Sequence, residues 1–171
     1  MRARGSLLVV MVSTQMLAGL AAAQSPGAEP ARNKEVARRF LEEAFGPHWR
    51  VELVDELHLP EFVLHTAHGD LGLREDREAV LAWQRGTPDL TIRIEDIVAE
   101  DERVAVRWTA SGTNSGEWNG LPATGKKVTA TGMTFWRFKD GKIAEEWGLV
   151  DMLSVLRQLG QLPEATRTKS P

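Results

Sequence analysis

At Pro88 the spacing of apolar residues changes from mostly helical to mostly alternating, and that change limits the fold more than any single motif does. Upstream, Val36, Phe40, Leu41, Ala44 and Phe45 recur as on one face of a helix, with Asn33 placed to cap the start and Gly46-Pro47 to stop the run. A shorter helical pattern over Val51, Leu53, Val54 and Leu57 ends at Pro60, because proline lacks an amide hydrogen and restricts the residue before it. Phe62 to His68, between Pro60 and Gly69-Asp70, reads as a short strand. A third helix carries Ala79, Val80 and Trp83, with Asp76 as its N-cap and Gly86 and Pro88 closing it. Downstream, Leu90, Ile92 and Ile94 alternate with Thr91, Arg93 and Glu95, and four strands follow near Asp89–Ala99, Arg103–Thr113, Lys126–Phe138 and Lys142–Leu149. Asp140-Gly141 between the last two is the signal of a type I′ hairpin turn. Met152, Val155, Leu156 and Leu159 form a last helix that ends at Gly160. Helices first and strands after predict an α+β fold. The expectation is a mostly antiparallel sheet, curled into a cone around the N-terminal helices, with an interior that holds a ligand.

The ends of the chain read differently from its middle. Met1 to Gly5 is basic, Leu7 to Leu20 is apolar, and Ala21-Ala22-Ala23 is a small-residue cleavage site, so residues 1–23 predict a secretory signal cut after Ala23. Residues 24–32, with Pro26, Gly27 and Pro30, predict a mobile lead-in, residues 33–160 one domain, and residues 161–171 a polar, disordered tail. The apolar run is shorter than the about 20 residues that a membrane span needs, and no later segment approaches it, so no membrane partner is expected. The prediction is an exported protein, periplasmic or secreted. The 171 residues include no cysteine, which removes thiol nucleophiles, iron–sulfur clusters and disulfide staples. The formal charge of −3, more negative once Arg2 and Arg4 are lost with the signal, carries no electrostatic footprint of a nucleic-acid binder.

A set of residues between Val104 and Gly160 carries a further resemblance: Arg107-Trp108, Gly112-Thr113, Gly116-Glu117, Gly120-Leu-Pro122, Thr124-Gly125, Asp140-Gly141-Lys142-Ile143, Glu145-Glu146-Trp147, Asp151 and Gln158-Leu-Gly160. Together they resemble the SnoaL-like polyketide cyclase, or ester cyclase, family, within the nuclear transport factor two-like superfold of cone-shaped α+β barrels. The resemblance implies cofactor-free ring closure by an intramolecular aldol step, with an aspartate as acid/base, and a homodimer paired through the convex sheet face. Aligned on the Asp-Gly-Lys-Ile turn, the family's catalytic aspartate falls on Gly148, its two pocket histidines on Thr134 and Glu146, and a pocket asparagine on His65. Glycine moves no proton, so that mechanism does not transfer intact.

The chemistry must then come from other groups. Glu146 shares a strand face with Ala144 and Gly148, and a carboxylate in an apolar interior has its pKa raised toward the range useful for proton transfer. His65 is the candidate partner, as a base or a donor to an oxygen. Asp151 is a third candidate and, more simply, the N-cap of the last helix. Thr134, Arg107, Trp108, Trp118, Trp83 and Gly148 complete the expected ligand pocket, with Arg107 paired to a carboxylate such as Glu146 or lying in a dimer interface. Trp118, in the glycine-rich loop Asn114 to Gly125, is placed to close the mouth over an apolar ligand. His65 and His68 lie on opposite strand faces and make no chelating pair, so no metal is expected, and His48 and His58 read as surface residues near helix ends. The candidate functions are a small-molecule enzyme of cyclase or isomerase type, a non-catalytic binding protein for a small apolar molecule, and a dimeric interaction module.

Overall fold

The computed structural model describes residues 27–162, except residue 119, so the predicted signal segment and most of the predicted tail lie outside the described residues. Helix α1 (Ala28–Arg39) starts five residues before Asn33, capped by Gly27 in the left-handed region at φ 96°, and Asn33 is buried within it. A π-helical turn (Phe40–Ala44) continues α1 and delivers Phe40, Leu41 and Ala44 to the core. The short α2 (Leu53–Leu57) leads directly into β1 (His58–Thr66). Pro60 therefore lies inside a strand rather than ending a helix. It is tolerated because the pairing of β1 is interrupted between His58 and Val63, where no ladder donor is required.

Gly69-Asp70 does not end the strand region either. It opens β2 (Gly69–Gly72), which pairs antiparallel with β1 from Thr66↔Gly69 onward. Thr66 ties the turn, its hydroxyl donating to the Gly69 carbonyl at 2.7 Å and accepting from the His68 N–H at 3.1 Å. Helix α3 (Leu73–Gly86) follows at once, with Gly72 as N-cap and the Glu75 carboxylate accepting the Gly72 N–H. Asp76 is thus a residue of the helix body and not its cap.

Strands β3 (Thr91–Glu100), β4 (Arg103–Thr113), β5 (Lys127–Lys139) and β6 (Lys142–Val150) form an antiparallel run, and α4 (Met152–Leu159) closes the chain between the Asp151 N-cap and Gly160. Both residues of the Asp140-Gly141 turn have positive φ, as a type I′ turn demands. The sheet order is β2-β1-β6-β5-β4-β3, and β1 pairs with β6 in parallel.

This topology corrects the expected cone-shaped barrel. The fold is α+β, but the sheet is mixed and open: among the described residues β2 and β3 are its two edges, and they do not pair with each other. A barrel needs every strand paired on both sides. Here β2, four residues long, ends the ladder instead of closing it.

Alternation along the strands sorts the two faces. Val104, Val106, Trp108 and Ala110 of β4 and Val128, Ala130, Trp136 and Phe138 of β5 are buried with the helices, forming one core with Phe40, Leu53, Val54, Phe62 and Val80. Arg107, Met133, Phe135, Trp147 and Leu149 point to the other face, which no helix among the described residues covers. Among the described residues no helix is long and apolar enough to cross a membrane.

Candidate active site

Cross-strand register places Trp136 opposite Glu146 and Thr134 opposite Gly148, all on the helix-covered face. With the π turn and α3 above them, these residues line a cavity of about 150 Å³ whose walls include Phe40, Phe45, Leu64, Val80, Ile92 and Leu90. Three indoles, those of Trp83, Trp108 and Trp136, add to this apolar lining. Its ionisable side chains are those of Asp76 and Glu146.

Glu146 Oε2 accepts a hydrogen bond from Trp136 Nε1 at 2.7 Å. Desolvation lifts its pKa well above the ordinary carboxylate range, the negative charge of Asp76 lifts it further, and the indole donor opposes both. Asp76 projects from α3 with 6% of its surface exposed, and desolvation raises its pKa in the same direction. Two carboxylates that repel each other in an apolar space hold a proton between them at pH values where exposed carboxylates hold none.

Thr134 shapes the opposite wall. Its hydroxyl oxygen accepts the Trp108 indole N–H at 3.1 Å, which leaves its own hydrogen free to turn toward an occupant of the cavity. The Trp108 ring can lie there because residue 132 is glycine, where a Cβ would come within 2.3 Å of the ring. At Gly148 the space beside Glu146 is open, since an added Cβ would meet Glu146 Oε1 at an ordinary 3.4 Å.

The remaining expected site residues are placed elsewhere. His65 does not meet Glu146, because the β1 residue level with Glu146 is Leu64, and His65 is level with Trp147 on the uncovered face. There its ring stacks on Trp147 at 4.5 Å, and Nδ1 lies 2.9 Å from Asp70 Oδ1. Arg107 pairs with Asp96 at 2.6 Å on that same face and not with Glu146. Asp151 accepts the Ser154 N–H at 3.0 Å as the cap of α4. Trp118 packs on Trp83 with centroids 4.7 Å apart and against Gly86, only 8% exposed. Its loop is pinned by Asn114, whose carboxamide oxygen accepts from both the N–H and the hydroxyl of Thr124, so Trp118 belongs to the core and does not line the cavity.

Two residues near the cavity were not legible as such in the sequence. Asp76 passes for a helix cap because aspartate is a favoured capping residue. His58, which reads as a surface residue, is fully buried behind Asp76, its Nδ1 2.9 Å from the Val54 carbonyl and its Nε2 3.9 Å from Asp76 Oδ2. Burial holds the imidazole neutral, with its pKa lowered to about 4. The Val54 hydrogen bond opposes that shift and the Lys142 charge adds to it. Among the described residues no group of three or more histidines and carboxylates is placed to hold a metal ion.

Residues 35–159, the stretch that holds this sheet and cavity, match in sequence the model of the SnoaL-like polyketide cyclase family. The chain belongs to that family. Several solved structures share the fold. AclR of Streptomyces galilaeus, a proposed hydroxylase, superposes with a TM-score of 0.73 at 27% identity, over 81% of this chain and 87% of its own. IdmH of Streptomyces antibioticus, a proposed polyketide cyclase, gives 0.65 at 30% identity, over 75% and 98%. A proposed SnoaL-like polyketide cyclase of Jannaschia sp. CCS1 gives 0.73 at 22% identity, over 82% and 99%, a likeness of fold alone. A search of the curated proteins finds no match.

Proposed function

We propose that this SnoaL-like protein binds a small, uncharged, mostly apolar molecule bearing a carbonyl group and moves a proton on it, as in a cyclisation or isomerisation. The observation that carries the reading is the pair of carboxylates, Asp76 from α3 and Glu146 from β6, in the wall of an otherwise apolar cavity. The ionised member takes a proton from the carbon next to the carbonyl, and the Thr134 O–H is free to hold the developing enolate oxygen. The electron pair released from the C–H bond forms the new bond, and the carboxylic acid of the other member protonates the oxygen or carbon that receives charge. An anionic substrate is disfavoured beside these two groups, and a cavity near 150 Å³ suits a ligand of about the size of benzene. Description of the relative IdmH as a proposed polyketide cyclase supports the cyclisation variant.

The test is exchange of the α-hydrogens of a simple monocyclic ketone in D2O, followed by NMR. Positioned acid–base groups are worth about 10²–10⁴-fold, so Glu146→Gln should lower the rate by about that range. Exchange that is indifferent to both Glu146→Gln and Asp76→Asn would overturn the reading. A second reading, a binding protein without turnover, is favoured by Gly148, since the resemblance puts the family's aspartate there. Native mass spectrometry showing a tightly retained ligand, with no exchange, would select it.

Two further properties belong to the same proposal. The N-terminal signal pattern supports export of the protein. The uncovered sheet face, where Val98 is 64%, Met133 61% and Leu149 77% exposed beside the Arg107–Asp96 pair, supports a homodimer formed through that face.

A further inference from the structure

The acid/base reading leaves one buried titratable group without a task, the imidazole of His58. Its ring is held edge-on between Phe40 and Phe62, with centroids 4.7 and 4.6 Å away. A backbone carbonyl only accepts, so the 2.9 Å contact to Val54 puts the ring hydrogen on Nδ1 and leaves Nε2 as a bare lone pair. Among the described residues Nε2 has no hydrogen-bond partner, and neither has the atom facing it, Asp76 Oδ2.

Three states of this facing pair can be compared. With Asp76 ionised and the ring neutral, two buried acceptors confront each other and both remain unpaired. With the proton moved to His58, two full charges stand in an apolar pocket, where desolvation works against them. With Asp76 protonated, its O–H has a lone pair in front of it and no net charge is buried. The 3.9 Å gap is too long for a direct hydrogen bond. A small rotation of the Asp76 side chain closes it. Glu146 is in the opposite situation, because Oε2 already accepts the Trp136 N–H at a length typical of a charge-assisted bond, which favours the ionised form. Burial raises both carboxyl groups, so the hydrogen-bond partners decide which of them keeps the proton. The titratable groups that face Asp76 are Glu146 from β6, whose pKa the Asp76 charge raises, and His58 from β1 at 3.9 Å, while Lys142 of β6 acts on His58.

We propose that His58 is a positioning residue that keeps the shared proton on Asp76, which makes Asp76 the acid and Glu146 the base of this site. The assignment of roles rests on the acid/base reading above; the position of the proton does not.

The experiment is isotope-edited infrared spectroscopy of the unmutated protein near neutral pH, with the carboxyl carbons of either all aspartates or all glutamates labelled with carbon-13. The expected result is a protonated-carboxyl C=O band that shifts with labelled aspartate, stays with labelled glutamate, and disappears in Asp76→Asn. In His58→Leu the same band is expected to shift with labelled glutamate instead. A band that follows glutamate in the unmutated protein, or no protonated-carboxyl band at all, overturns the proposal. The two readings fail separately. A band on Asp76 without ketone exchange removes the acid/base function and leaves the proton where it is, whereas exchange with a band on glutamate does the reverse.

Discussion

Replacing His58 by asparagine should change how stability depends on pH, by an amount that follows from the burial of the ring. Asparagine keeps a donor near the position of Nδ1, so the Val54 carbonyl retains its partner, and the group that titrates is gone. In the folded protein the imidazole pKa is lowered to about 4 from an ordinary 6.5. Between those values the unfolded chain binds a proton that the folded chain refuses, so stability rises with pH across the window. The contribution is fully present above the unfolded value and is lost as pH falls through the folded one. At about 1.4 kcal/mol per pH unit the loss comes to about 3 kcal/mol. Removing ring atoms between Phe40 and Phe62 leaves a gap, so the variant is less stable at neutral pH, by about 1–3 kcal/mol. That deficit should shrink and then reverse on acidification, because the unmutated protein alone pays the protonation penalty. Urea unfolding at a series of pH values, read by circular dichroism for both proteins, measures the difference directly. A difference that stays constant from about pH 7.5 to about pH 4 refutes the argument that the ring is buried and neutral.

Other substitutions test the remaining parts of the arrangement. Thr134→Val keeps the shape but leaves the Trp108 indole N–H without its acceptor, so it should lower unfolding stability by about 1–3 kcal/mol, while Thr134→Ser should not. Trp118→Ala should cost about 3–5 kcal/mol in thermal or urea unfolding and leave ligand affinity nearly unchanged, the reverse of what a lid over the cavity would show. Leu149→Arg, at the most exposed apolar residue of the uncovered face, should shift sedimentation from dimer to monomer, and a dimer that survives it is paired through another surface.

Much of the framework was legible locally. The strand alternation after Pro88, the Asp140-Gly141 turn and the Asp151 and Gly160 ends of α4 are short-range signals, set by side-chain period and backbone dihedral preference, and the elements fall within a residue or two of where they were read. Alternation also put Glu146 on one face with Gly148. What it could not supply was phase between strands. His65 was matched to the pocket through the family, but its neighbour is Trp147 because β1 runs parallel to β6 with Leu64 level with Glu146, and that register depends on residues some eighty positions apart.

Sequence by itself determined the order of the elements apart from β2, and the inward stripes of β3 and β6, since both depend on neighbours a few residues away. Only the tertiary structure decided that the sheet stays open and mixed, that Pro60 lies in a strand, and that β2 exists at all. It alone decided that Asp76 and His58, which read locally as a cap and a surface residue, stand at and behind the cavity wall, because burial is conferred by segments that pack from elsewhere in the chain. The chemistry of the site rests on that burial, since the same carboxyl and imidazole groups in water would have ordinary proton affinities.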